Sequence, residues 1–191
     1  MYRHLLMALA LFVAVAYCAE LEIEQLGLAD KLIRLHVVGA SDSDADQAYK
    51  LEVRDRVIAL MRPILDGAED ARDADARLNG SLAAIEALAP NLTVTLETES
   101  FPERDYDTFS LPAGDYRTLR VAIGAAEGKN WWCVMFPPLC YDAAIDDGGD
   151  EVQAAFARLT GEEIDLITDK SGYVIKFRVL DVIAKLKRYF S

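Results

Sequence analysis

Apolar positions along the chain change their spacing several times, and each change marks an element. Leu5 to Ala19 is an almost unbroken apolar run, preceded by Arg3 and His4 and ended by Glu20, Glu22 and Glu24. A helix of that length spans about 22 Å, short of the ~30 Å hydrocarbon core of a bilayer. A basic start, an apolar centre and small residues near the end read as an export signal. Ala14 and Ala16 suit the −3 and −1 positions, which places cleavage after Ala16. The alternative is an anchor that is kept. Residues 1–19 are therefore expected to form a signal peptide or N-terminal anchor, and 20–191 a single globular domain.

Beyond that segment the period shortens to two. In Leu32–Ala40, Ile33, Leu35 and Val37 alternate with Arg34 and His36, as in a strand with one buried face. Ser43 followed by Asp46 resembles a capping box and opens a helix over Asp44–Leu65, which Pro63 should kink or end. A second, Ala-rich helix is expected over Ala68–Leu88, with Leu78, Leu82, Ile85 and Leu88 on one stripe and Pro90 as its stop. Leu92–Thr98, Tyr116–Gly124 and Trp131–Phe136 read as strands. The last two are expected to form a hairpin across the turn-rich loop 124–130. A short helix is expected over Glu151–Leu159. Val174–Tyr189 predicts an amphipathic helix with Val179, Val182, Ile183 and Leu186 facing the body. The expected fold class is α+β: a single domain with a small antiparallel sheet flanked by helices, preceded by an N-terminal signal helix.

Composition narrows the function classes. The 191 residues carry a net charge of −12, which argues against a nucleic-acid binder, because the phosphate backbone must be met by clustered Lys and Arg, so no nucleic-acid partner is expected. Removing residues 1–19 takes away Arg3 and no acid, so the body carries −13. Membrane contact is expected only through the N-terminal segment, if uncleaved. The acidity is uneven, concentrated between Asp142 and Asp165 and opposed by a basic C-terminal end.

Catalytic and metal patterns are mostly missing, and neither a cofactor, a metal nor a small-molecule substrate is expected. Asp42, Asp44 and Asp46 mimic the start of a calcium loop, but Gln47 and Val53 stand where Gly and a bidentate Glu are needed. Gly124–Asn130 is one residue short of a P-loop and lacks its Ser or Thr. A secreted hydrolase acting on cell wall or peptide substrates would have to use His36 with carboxylates such as Asp42 or Asp55. What stands out is apolar: Asn130-Trp-Trp-Cys-Val-Met-Phe-Pro-Pro-Leu-Cys140. On a strand the two Trp point to opposite faces. Trp131, Trp132, Phe136, Pro137 and Pro138 are the candidate partner-binding residues. Outside the cytoplasm, Cys133 and Cys140 can persist as a disulfide; the alternative is two buried thiols. Their spacing is not the Cys-x-x-Cys of a thiol oxidoreductase.

Three blocks, IRLHVVGASDSDADQAYKLEVRDRV (33–57), LPAGDYRTLRVAIG (111–124) and GKNWWCVMFPPLC (128–140), together resemble the stage II sporulation protein R (SpoIIR) family. The resemblance covers Ile33–Cys140, with weaker support in the C-terminal helix. It implies signalling without catalysis. Such proteins are exported from the forespore into the intermembrane space. There they trigger a membrane-embedded aspartic protease of the mother cell (SpoIIGA-type), which cleaves the pro-form of a sigma factor. Two positions depart from the family pattern: Ser41 stands for its usual Asn and Asp44 for its helix-starting Pro. Both residues suit a helix cap.

Overall fold

Ile33–Val38, the first β-rich stretch, becomes the interior of the sheet (β1). The computed structural model of the chain describes residues 2–106, 109–139, 157–168 and 180–183, with Lys185 and Tyr189. Cys140, the expected helix over 151–159 except its last residues, and most of the acidic run and of the C-terminal helix lie outside the described residues. In chain order the elements are α1 (Tyr2–Lys31), β1, α2 (Asp44–Leu65), α3 (Ala71–Glu86), β2 (Leu92–Phe101), β3 (Arg104–Asp105), β4 (Ser110–Leu111), β5 (Gly114–Ile123), β6 (Asn130–Phe136) and α4 (Gly161–Thr168). They group into two compact units, residues 30–99 with 116–158, and residues 1–29 with 100–115 and 159–191.

The α+β class holds, but the sheet is mixed rather than antiparallel throughout. Its order is β2-β5-β1-β6. β1 runs parallel to β5, with Leu35 beside Leu119, and antiparallel to β6, with Leu35 beside Cys133. The expected β5–β6 hairpin does not form, because β1 lies between the two strands. Stepping over one strand means crossing about 10 Å. The loop after Ile123 is long enough to do so at about 3.3 Å per residue.

In the larger unit α2 and α3 cover one face of this sheet. Ser43 caps α2, its hydroxyl accepting from the Asp46 amide. Pro63 lies in the last turn and α2 ends two residues later, at Leu65. Asp70 caps α3, and Asp73 accepts from the Glu69 amide, a reciprocal arrangement built with Asp. Arg77 holds the Asp73 carboxyl below the usual carboxylate range through a side-chain hydrogen bond. The same guanidinium donates to Ile64 O and Gly67 O, tying α3 to the end of α2. Val53, Val57 and Met61 of α2 and Leu78 and Ile85 of α3 bury against Leu35, Val37, Leu119, Val121, Cys133 and Met135. All the sheet residues in that set are odd-numbered, so one face of three strands meets the helices.

The opposite face is closed as well, which the alternation in β1 did not suggest. Arg34 was expected outward and is fully buried, its guanidinium 5.1 Å from the centre of the Tyr116 ring. Thr118 is equally buried. A cation over an aromatic face keeps part of its electrostatic stabilisation when water is excluded.

In the smaller unit, Leu21, Gln25, Leu28 and Ala29 of α1 are buried, with Phe101, Phe109, Leu111, Ala113, Leu166, Ile167 and Leu180. Thr160 and Glu163 form a full capping box on α4. Helical Leu180–Ile183 corrects the expected apolar stripe. Leu180 is buried, whereas Val182 is 53% exposed, and Lys185 pairs with Asp181 one turn back on the wet side.

Met61 fills the space between α2 and the sheet with full burial. Met61→Ala is expected to lower the unfolding free energy by about 2–5 kcal/mol. A lower urea midpoint at unchanged slope is the measurement.

Candidate functional site

The family-like blocks of the chain converge at one end of the larger unit's sheet. β1 leaves the sheet into Gly39–Ser43, and β6 enters it from Glu127–Lys129. The two segments continue the ladder: Gly39 N donates to Lys129 O, Gly128 N to Gly39 O, and Glu127 N to Ala40 O. Asp42 Oδ1 accepts from the Lys129 amide at 2.7 Å. The approach is so close that a Cβ on Gly128 would stand 2.3 Å from Ser41 O, so only glycine fits there.

Lys50 locks this junction from beneath. Its side chain is buried, and Nζ donates to Gln47 Oε1 at 2.7 Å and to Lys129 O at 3.0 Å. Gln47 in turn donates to Ser41 O at 2.8 Å. Burial pushes the Lys50 ammonium below the ordinary lysine value, and the nearby charges of Lys129 and Arg54 add to the effect against Asp42.

The two Trp of β6 leave on opposite faces, as the alternation requires, and both are half-buried. Trp131 packs against the helix-covered core beneath Arg54, whose guanidinium lies 4.8 Å from the ring centre. Such a pair contributes about 0.5–1 kcal/mol at an exposed site. Trp132 stacks obliquely on His36 at 5.7 Å between ring centres. The His36 ring stands between two oxygens, Glu99 Oε2 at Nδ1 and Asn130 Oδ1 at Nε2, both at 2.9 Å. Arg120 Nε reaches the other Glu99 oxygen at 3.2 Å. His36 lies on β1, Glu99 on β2, Arg120 on β5, and Asn130 and Trp132 on β6. This network therefore spans all four strands.

The remaining candidates are deeper. Phe136 and Pro137 are buried and Pro138 is half-buried. Arg158 lies 5.1 Å over the Phe136 ring and donates to Ala68 O. Among the proposed partner residues, Trp131, Trp132 and Pro138 thus reach the surface, while Phe136 and Pro137 stand behind them. Cys133 is buried on the helix-covered face. The acids that a hydrolase would need beside His36 are engaged elsewhere. Asp42 holds the Lys129 amide, and Asp55 pairs with Arg54 on the outside of α2.

Lys50, Arg54, Glu99, Arg120 and Asn130 were not singled out from the sequence. Only Asn130 carried a cue, as the residue that opens the Trp-rich block.

Lys50→Met removes the donor to both Lys129 O and Gln47 Oε1, so a loss of about 1–3 kcal/mol of stability is expected. The lowered value in the folded state means that the folded chain releases this proton before the unfolded one. Wild-type stability therefore rises with pH across the window ending at 10.5, and the Met variant lacks that rise. Paired urea titrations at neutral and alkaline pH test both statements.

Residues 29–146 match the family described as stage II sporulation protein R. The stage II sporulation protein R of Bacillus subtilis (strain 168) is 32% identical over 124 residues, covering 60% of this chain and 55% of that protein. The chain thus spans just over half the length of that relative. No solved structure matches. The matched region holds β1, α2, the Lys50 junction and the whole of β6, and the chain belongs to the stage II sporulation protein R family.

Proposed function

We propose that this chain is a secreted sporulation signal that acts as a ligand without catalysis. It is exported from the forespore and activates a membrane-embedded aspartic protease of the SpoIIGA type across the intermembrane space. Processing of the pro-form of the mother-cell sigma factor follows. The observation that carries the reading is the family match over residues 29–146.

Export is supported by the exposure along α1. Its residues from Tyr2 to Tyr17 are all exposed, including Leu5, Leu9, Phe12 and Val15, and burial begins only at Leu21. The run Leu5–Ala19 is short of a bilayer core on its own, but the continuous helix α1 that contains it, Tyr2–Lys31, is long and apolar enough to cross a membrane by length and composition. A boundary after residue 19 would leave Leu21, Leu28 and Ala29 with the folded body.

The partner is expected to read the strand that carries the double Trp. Trp131, Trp132 and Pro138 form the contact, and Phe136 and Pro137 hold it in place. Half-buried Trp side chains on a rigid strand are the residue type that dominates binding energy in protein interfaces. We also place a disulfide between Cys133 and Cys140. It is supported by the oxidising compartment that export implies.

Reconstitution with the membrane protease tests the interface. The double variant Trp131→Ala, Trp132→Ala is expected to reduce activation by about tenfold or more while circular dichroism stays native. Native activation by a folded double variant would overturn the assignment of this surface. Deleting residues 1–19 is expected to move the protein from the membrane to the soluble fraction with an unchanged thermal midpoint. A clear fall in that midpoint would show that the segment belongs to the folded body.

A further inference from the structure

The sheet order leaves β2 at an edge of the larger unit, opposite the edge held by β6. Two hydrogen bonds fix which backbone groups point away from the sheet. Asn91 O accepts from Gly124 N at 2.9 Å, so the odd-numbered side of this stretch faces β5. The Val94 amide donates instead to the Glu86 carboxylate at 3.3 Å, so the even-numbered side faces outward. By the alternation of a strand, the N–H and C=O of Leu96 and Thr98 point the same way as those of Val94. Glu86 closes the edge at Val94. Further along, Leu96 is half-buried, and Glu97 and Thr98 are exposed. An open edge of this kind is a template for an added strand.

The charges beside this edge select its occupant. Glu97 is the exposed acid beside this edge, since Glu99 is tied to His36 and Arg120, and a second copy added antiparallel across Thr98 would bring Glu97 against that already occupied Glu99 of the other molecule twice over. Directly opposed like charges destabilise a strand pair, and each chain carries −12 overall. A strand bearing Lys or Arg on the side of Glu97 meets the opposite condition. We propose that the Leu96–Thr98 edge of β2 receives an extended basic segment of a partner protein as an added strand. This surface is distinct from the double-Trp strand and stands without the protease reading.

The test uses the full chain and short synthetic peptides, with no protease present. Amide hydrogen exchange is read by NMR at Leu96 and Thr98. A peptide of alternating Lys and Val is expected to slow both amides by about tenfold or more near saturation. The corresponding Glu and Val peptide, and a backbone N-methylated Lys and Val peptide, are expected to leave them unchanged. Thr98→Pro removes an outward N–H at a position where an edge strand tolerates proline, and is expected to abolish the effect. If that variant fails to fold, Glu97→Lys decides: protection by the Lys peptide falls and protection by the Glu peptide appears. No protection by the Lys peptide, or equal protection by the acidic or N-methylated peptide, would overturn the proposal. So would slowing that depends on protein concentration alone, which would make the occupant a second copy. Because the assay contains no protease, its failure leaves the signalling reading untouched, and the reverse holds too.

Discussion

The organising constraint is that β1 is paired on both edges and buried on both faces. A strand in that position must satisfy every backbone group through its neighbours. β5 supplies one edge in parallel and β6 the other antiparallel. The helices α2 and α3 close one face through Leu35 and Val37, and Arg34 over Tyr116 fills the other. The remaining elements of the larger unit take positions that follow from this one. The loop before β6 must step over the strand. The segment after Val38 must run beside that loop. A glycine must stand where the two backbones meet.

That junction explains why the site is rigid where it is polar. Lys50 reaches from the helix into the loop carbonyls, and Gln47 extends the same chain of donors to Ser41. On the far face, His36, Glu99, Arg120 and Asn130 link the strands laterally. A half-satisfied polar network in such a place would cost more than an apolar one, so its members act as a set. The two Trp emerge from this frame with their backbone fixed. A partner would then meet pre-positioned rings rather than order them on contact.

Much of this was legible locally. The Ser43 cap and the span of α2 follow from the cap residue and the apolar spacing, and the structure reproduces both. The opposite directions of Trp131 and Trp132 follow from strand geometry alone. What was not legible depended on partners far away in the chain. His36 meets Glu99 across 63 positions and Asn130 across 94. Nothing in a two-residue period announces such pairs. Lys50 looks like any solvated lysine in a charged helix until a loop from the other end of the domain covers it. Arg34 alternates with apolar neighbours like an outward residue, and becomes an inward one because Tyr116 offers its ring. The hairpin expectation failed for the same reason: adjacency in sequence is a weak guide when a third strand fits between.

The central strand also sets an order of events in time. Ile33 pairs with Arg117 on one side and Phe136 on the other, so β1 stays without neighbours until most of the chain has been supplied. Contacts so distant close slowly, because a long loop must be ordered before any of them forms. The sheet therefore closes last at its centre: until the whole of β6 is present, β1 lacks the partner for one of its two edges.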